Sequence, residues 1–206
     1  MSDEPANTGK RPNARTVESY EQIADDYALE TAGSGVLAGG LTQLAEAIPG
    51  GHVLEIGSGP GWDADRLEDA ELTVRRTDIT QAFIDLQRGR GKQVDRLDAI
   101  YDQLGGPYDG VVALHVLQHV EPDDLPAVLS KVADALRPGG AFLVSIPRGE
   151  GAGWEIGESG SSYFRALWTE AEFVAALTRA GLTPTWTDRA VPDEERGWLC
   201  VLAQTG

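Results

Sequence analysis

The 206-residue chain holds a single cysteine and three histidines. A lone thiol cannot close an intrachain disulfide, and one cysteine does not make a zinc site. Cys200 stands inside an apolar run, where a thiol behaves as a small buried hydrophobe rather than a nucleophile. Positive charge is scarce: 17 Lys and Arg face 33 Asp and Glu, a formal net charge of -16. Such a chain would repel the phosphates of free DNA or RNA, whose binding depends on Lys and Arg displacing counterions, so no nucleic-acid partner is expected. The acidity favours solubility and carries no information about fold. No uninterrupted apolar run is long enough to span a bilayer, and residues 1–15 lack the apolar stretch of a signal peptide. These absences point to a cytoplasmic chain without a membrane partner.

What is present is an ordinary globular composition, 41% hydrophobic and 24% charged, with length for one domain and a sizeable core. Residues 1–15 are polar and carry Pro5 and Pro12, and they read as a disordered tail. From Thr16 the spacing of Val17, Tyr20, Ile23, Ala24 and Tyr27 predicts a helix, and a second is expected over 36–47. Residues 16–48 thus form an N-terminal helical segment ahead of a core over 49–206. The core repeats strand, turn and helix. Strands are expected at 52–56, 72–77, 94–97, 110–114 and 141–146. Thr80 is placed to cap one helix, and Pro122-Asp123-Asp124 to start another that ends near Arg137. Residues 149–160 are rich in Gly, Ser and Glu and read as a long loop. Thr169 and Glu172 have capping-box spacing for a helix stopped at Gly181. Residues 182–189 and 197–203 are two strands with no helix between them, so they pair antiparallel. Alternating units followed by a hairpin imply an α/β fold, a mostly parallel sheet with helices on both faces and an antiparallel edge.

The most informative segment is Val53-Leu54-Glu55-Ile56-Gly57-Ser58-Gly59-Pro60-Gly61. Its glycines let the backbone turn sharply and approach a ligand at the carboxyl end of a strand, where open α/β sheets bind. The spacing is G-x-G-x-G rather than the dinucleotide G-x-G-x-x-G, and no Lys-Ser or Lys-Thr follows as in a nucleotide-triphosphate loop. A carboxylate at Glu55 would repel a pyrophosphate and suits a cationic ligand. With Asp78 ending the second strand, Tyr108-Asp109-Gly110-Val111-Val112, Leu136-Arg137-Pro138-Gly139-Gly140, and residues 19–27 (SYEQIADDY), the chain resembles the class I S-adenosylmethionine-dependent methyltransferases of the small-molecule group, over about residues 16–203. The resemblance implies a Rossmann-like sheet of seven strands and S-adenosylmethionine as cofactor. It implies that Gly57, Ser58, Gly59 and Gly61 pass under the methionine portion, with Glu55 near its ammonium. Asp78 would accept both ribose hydroxyls, since a carboxylate offers two acceptor oxygens. Ile79 would pack on adenine, Asp98 and Ala99 would lie by its amino group, and Leu114 and His115 would approach the sulfonium. Tyr20 and Tyr27 would close over the cofactor, and Trp62 would touch it or pack the following helix. Arg75 and Arg76 depart from the apolar pattern of a second strand, which would shorten it or place them at an exposed edge. Leu97 stands before Asp98 where the family often has glycine.

Methyl transfer needs a protein base only for a protonated acceptor, and histidine is the best matched near neutral pH. His52 precedes the first strand and reads as structural. His115 and His119 follow the fourth strand and are the candidate catalytic residues. The alternative is that His115 lines the cofactor pocket while His119 fixes the local turn. Arg148, Tyr163, Phe164 and Arg165 could line an acceptor pocket, where an arginine would suit a carboxylate, or could be a solvated arginine and core aromatics. Trp154, Trp168, Trp186 and Trp198 read as packing. The acceptor is expected to be a small molecule or short peptide methylated on oxygen or nitrogen, with no metal. Competing readings are a non-catalytic cofactor-binding domain and a nicotinamide-dependent oxidoreductase, against which Glu55 and the glycine spacing argue.

Overall fold

A computed structural model describes residues 12–33, 37–157, 160–191 and 197–206. Helix α1 (Pro12–Thr31) and helix α2 (Ala38–Ala47) precede β1 (His52–Ile56), α3 (Trp62–Asp69), β2 (Thr73–Asp78), α4 (Gln81–Gly89) and β3 (Val94–Arg96). Then come β4 (Tyr108–Ala113), a 3-10 turn at Leu117–His119, α5 (Leu125–Ala135), β5 (Leu136–Pro147), a hairpin of β6 (Ala152–Ile156) and β7 (Ser162–Ala166), α6 (Glu170–Arg179), β8 (Leu182–Val191) and β9 (Trp198–Thr205). Seven strands form one sheet in the order β3-β2-β1-β4-β5-β9-β8. The first five pair parallel, and β9 runs antiparallel to both β5 and β8. Among the described residues, no helix is long and apolar enough to cross a membrane.

Both faces of the sheet are covered, so its central strands are apolar on both sides. Leu54, Val111, Phe142 and Val144 face α5 and α6, packing with Leu129, Val132, Phe173 and Leu177. Their neighbours Val53, Val112 and Leu143 face the other way, against Leu41, Leu44 and Ile48 of α2 and its end. Cys200 is buried on this second face, and burial pushes its thiol up to about 12. The strand order reverses between β1 and β4, and this is where an open parallel sheet leaves a crevice beyond its carboxyl ends.

Several local expectations are corrected. Helix α1 starts at Pro12 rather than Thr16; the remainder of the expected tail, residues 1–11, and position 36 of the second helix lie outside the described residues. Of the two N-terminal helices, α1 spans the crevice while α2 packs on the sheet face. Thr80 is the N-cap residue of α4 but its hydroxyl makes no capping bond. Glu21 of α1 does that work instead, accepting the N–H groups of Gln81 at 2.6 Å and Ala82 at 2.9 Å. Helix α5 begins at Leu125, with Pro126 in its first turn, and β5 starts immediately at Leu136 and runs through Pro138-Gly139-Gly140 with a register shift. The expected loop over 149–160 contains β6, paired with β7. The capping box of Thr169 and Glu172 forms as expected.

The two arginines are part of β2, and Arg76 is buried. Its guanidinium reaches Asp65 at 2.6 Å, Glu68 at 2.9 Å, Gln87 Oε1 at 3.1 Å and the Gly61 carbonyl at 3.3 Å. The acidic face of α3 lies over β2, which is why a charged strand residue is tolerated inside. Arg75 binds Asp95, the Leu104 carbonyl and the Tyr108 hydroxyl. Replacing Arg76 with alanine strands the Gln87 and Gly61 acceptors and unpairs two carboxylates, so Arg76→Ala is expected to lower the unfolding free energy by about 2–3 kcal/mol, read from urea denaturation.

Candidate functional site

The crevice is a cavity of about 340 Å³, within the range of small-molecule sites. The ends of β1, β2, β3 and β4 form its floor and α1 its cover. Of the residues expected to bind the cofactor, Tyr20, Tyr27, Glu55, Gly57, Ser58, Gly59, Trp62, Asp78, Ile79, Asp98, Ala99, Leu114 and His115 all line it, and so does His119. Gly61 does not. It is the N-cap of α3 at φ 88°, and a Cβ there would lie 2.5 Å from Gln87 Oε1.

The glycine loop is held from behind. Gln87 of α4 donates to the Gly59 carbonyl at 2.8 Å and to the Ser58 hydroxyl at 3.1 Å. Arg90 donates to the Pro60 carbonyl at 2.7 Å, and Arg76 to that of Gly61. The loop carbonyls are thereby occupied outside the cavity. Gly57 and Gly59 have φ of 66° and 53°, a region that favours glycine. At Gly57 a Cβ would strike Val116 at 2.5 Å, whereas at Gly59 it would meet nothing within 4 Å. The floor at Gly59 is thus open for a ligand to lie against the backbone.

Two carboxylates face this floor. Asp78 is buried and accepts the N–H of Gly59 at 2.7 Å on one oxygen and that of Thr80 at 2.8 Å on the other. Asp78 offers two acceptor oxygens to the cavity, the number of donors a vicinal diol presents. Burial raises the Asp78 pKa while the backbone donors oppose the shift. Glu55 is also buried and accepts from the Ser58 hydroxyl. Burial pushes its carboxyl up to about 8, with Ser58 opposing and the negative charges of Asp63 and Asp78 adding to the rise. Trp62 has a buried indole N–H without an acceptor, a donor available to a ligand oxygen. Leu97, Ala99, Ile100 and Ile79 make an apolar slot beside Asp98, whose carboxylate is tied to the Ile100 N–H at 2.9 Å.

The histidines occupy the opposite end. His115 has φ 57°, its N–H donates to Ser145 Oγ at 2.9 Å, and its ring meets Trp198 edge-on at 4.2 Å. His119 Nδ1 lies 2.7 Å from the Phe164 carbonyl, which can only accept, so this nitrogen carries the proton. Its Nε2 then accepts from the Tyr20 hydroxyl at 3.2 Å and from Gln118 at 3.3 Å. Burial pushes both imidazoles down to about 4, aided by the charge of Arg165. Among the described residues, no group of three metal-ligating side chains forms. Sequence reasoning missed Asp63, Phe83 and the α1 residues Asn13, Thr16 and Thr31 in the wall. Only the helical stripe of α1 could have signalled the last three.

A family profile described as "Methyltransferase domain" matches residues 30–188. A ubiquinone biosynthesis O-methyltransferase of Xanthomonas campestris pv. campestris is 28% identical over 161 residues, 74% of this chain and 62% of that protein. A probable S-adenosylmethionine-dependent methyltransferase of Mycolicibacterium smegmatis is 35% identical over 108 residues, 51% of this chain and 41% of that protein. The chain thus spans less than two thirds of these relatives' lengths. The fold is shared with the Burkholderia thailandensis 1,6-didemethyltoxoflavin-N1-methyltransferase, solved with its substrate and S-adenosylhomocysteine, at a TM-score of 0.72 and 21% identity over 100% of this chain and 92% of that one. The chain belongs to the methyltransferase family, whose cofactor is S-adenosylmethionine.

With Glu55 titrating at about 8, a cation held by its ionised form must displace a proton at neutral pH. Affinity for S-adenosylmethionine is expected to rise with pH toward about 8 and to fall above it, where an α-amino group (about 7.7–8.0) loses its own proton, with proton release below that point visible as a buffer-dependent binding enthalpy in calorimetry. The rise and the proton release should vanish in Glu55→Gln.

Proposed function

We propose that this member of the methyltransferase family transfers a methyl group from S-adenosylmethionine to an oxygen or nitrogen of a small-molecule acceptor. The observation that carries the reading is the pair of buried carboxylates, Asp78 and Glu55, at adjacent strand ends on either side of an open glycine floor. One offers the two acceptor oxygens that suit a ribose diol, and the other suits an ammonium. A nicotinamide dinucleotide would instead bring its pyrophosphate to a buried carboxylate. The net charge of -16 and the enclosed cavity favour a small acceptor over a polyanion, and the name of the Xanthomonas relative agrees with oxygen as acceptor atom.

When bound, S-adenosylmethionine supplies a methyl group on a positively charged sulfur. Asp78 would hold the ribose, Glu55 the ammonium, and the slot of Ile79, Leu97 and Ala99 the adenine. Leu114 and His115, at the end of β4, would then face the methyl-bearing sulfur. The remaining task is positioning and exclusion of water, which together can supply roughly 7–11 kcal/mol in favourable cases. Tyr20 and Tyr27 pack edge-on at 5.5 Å and both contact Phe83, closing that side. His115 is neutral and lines the cavity, so it is the side chain placed to take a proton from an acceptor that carries one. His119 has both nitrogens engaged and holds α1 to the β6–β7 hairpin.

Asp78→Ala is expected to weaken S-adenosylmethionine binding by about 100-fold, since two hydrogen bonds to a charged acceptor are lost; unchanged binding in calorimetry would refute the site. In turnover with an identified acceptor, His115→Gln is expected to cost about 100-fold in kcat if a proton is removed. Because His115 titrates near about 4, its contribution should be flat from pH 6 to 8.

A further inference from the structure

The cavity has an acidic end, and a cation, Arg165, stands behind the residues that line its other end. Glu55, Asp63, Asp78 and Asp98 line the end formed by the strand termini. The β6–β7 hairpin stands at the histidine end. Its register pairs Glu155 with Tyr163 and Gly153 with Arg165, and strand alternation puts Tyr163, Arg165 and Glu155 on one face, away from Trp154 and Phe164. That face looks toward the site. The Tyr163 ring lies 5.0 Å from Tyr20 and 6.3 Å from His119. The Arg165 guanidinium lies 5.9 Å from the centroid of Trp198, whose ring meets His115 at 4.2 Å. The positive charge of Arg165 is felt by Tyr20, Tyr27, His115 and His119, all of which line the cavity.

Arg165 is ion-paired with Glu155 yet keeps a buried donor without a hydrogen bond among the described residues. Its side chain is only 25% exposed. Glu155 approaches Nε at 3.2 Å, but without hydrogen-bond geometry, and that buried N–H has no acceptor. Among the described residues that Nε–H is a buried donor left over, and the two Nη groups complete a fork of N–H donors. Buried polar groups are normally bonded, and a spare buried donor next to a binding cavity calls for a ligand acceptor. A carboxylate matches it, because two parallel N–H groups meet its two oxygens. An anion on this side would also be drawn toward the positive sulfur at the other.

We propose that Arg165 is a specificity-determining residue for the methyl acceptor, and that the acceptor is a small molecule bearing a carboxylate, gripped by the guanidinium while its reacting atom lies beside His115. The assignment rests on the methyl-transfer reading of the same cavity. Trp198 beside the guanidinium, and Tyr163 on the same hairpin face, favour a flat acceptor body.

The test uses the full chain loaded with S-adenosylhomocysteine. Salicylate, para-hydroxybenzoate and glycolate are titrated against it, each beside its neutral carboxamide, in wild type, Arg165→Gln and Arg165→Lys. Binding is read by calorimetry or ligand-observed NMR. At least one acid is expected to bind about tenfold or more tightly than its amide in wild type. Arg165→Gln should abolish that preference and Arg165→Lys keep part of it, with affinity for S-adenosylhomocysteine unchanged in both. Equal binding of acid and amide, a preference that survives Arg165→Gln, or binding of none of the acids overturns the assignment. Failure of S-adenosylhomocysteine itself to bind wild type would instead overturn the methyl-transfer reading.

Discussion

The pinning of the glycine loop between Asp78 in front and the side chains of α4 and β2 behind is the constraint on which the site depends. A loop with backbone at positive φ has no ladder of its own, so its polar groups must find partners elsewhere. Here Gln87, Arg90 and Arg76 take the carbonyls of Gly59, Pro60 and Gly61, and Asp78 takes the Gly59 N–H. The loop is thereby fixed without using the space a ligand needs. Arg76 in turn is held by Asp65 and Glu68, so an ion network between α3, β2 and α4 sets the cavity floor. A charged residue in a buried strand, unexpected from pattern alone, is a consequence of this arrangement.

Helix α1 ties the two ends of the cavity together. Glu21 caps the first turn of α4, a few residues beyond Asp78. Thr16 accepts the Phe164 N–H at 3.0 Å, and Ser19 donates to the Ser162 carbonyl at 2.7 Å, both on β7. Tyr20 sits between, touching Tyr27, Phe83, Tyr163 and His119. Burial holds the Tyr20 pKa far above its ordinary value, so its hydroxyl keeps its proton and donates to His119. One helix thus links the start of α4, the hairpin and the histidines.

Burial keeps several titratable groups of the cavity in their uncharged forms near neutral pH. Glu55 has no basic partner among its hydrogen bonds, and burial raises its pKa rather than being offset by an ion pair. Such a group costs stability in the free protein and recovers it when a cation arrives, a form of preorganisation in which the ligand completes the charge balance. The neutral histidines follow the same logic at the other end, where desolvation keeps them uncharged beside Arg165.

Much of this was legible in the residues. Strand 52–56, the glycine loop, Asp78 and the apolar fourth strand follow from local pattern, because parallel strands buried on both faces read as continuous apolar runs and turns with positive φ require glycine. The terminal antiparallel pair follows from the absence of a crossover helix between two strands. Other features depend on partners distant in sequence. The β6–β7 hairpin mixes the strand formers Trp154, Ile156, Tyr163 and Phe164 with Gly, Ser and Glu, so its local preference is divided, and its residues pair with one another and dock on α1. Arg76 is interior because α3 brings two acids over it, and Glu21 caps a helix sixty residues away. Thus the amino-acid sequence by itself determined the parallel sheet, the loop and the two carboxylates at the strand ends beside it, since local conformation and hydrophobic period are properties of neighbouring residues. Only the tertiary structure decided how that loop is braced, which nitrogen of His119 is protonated and which face of the hairpin meets the cavity, since each of these is set by contacts between segments that the chain order leaves far apart.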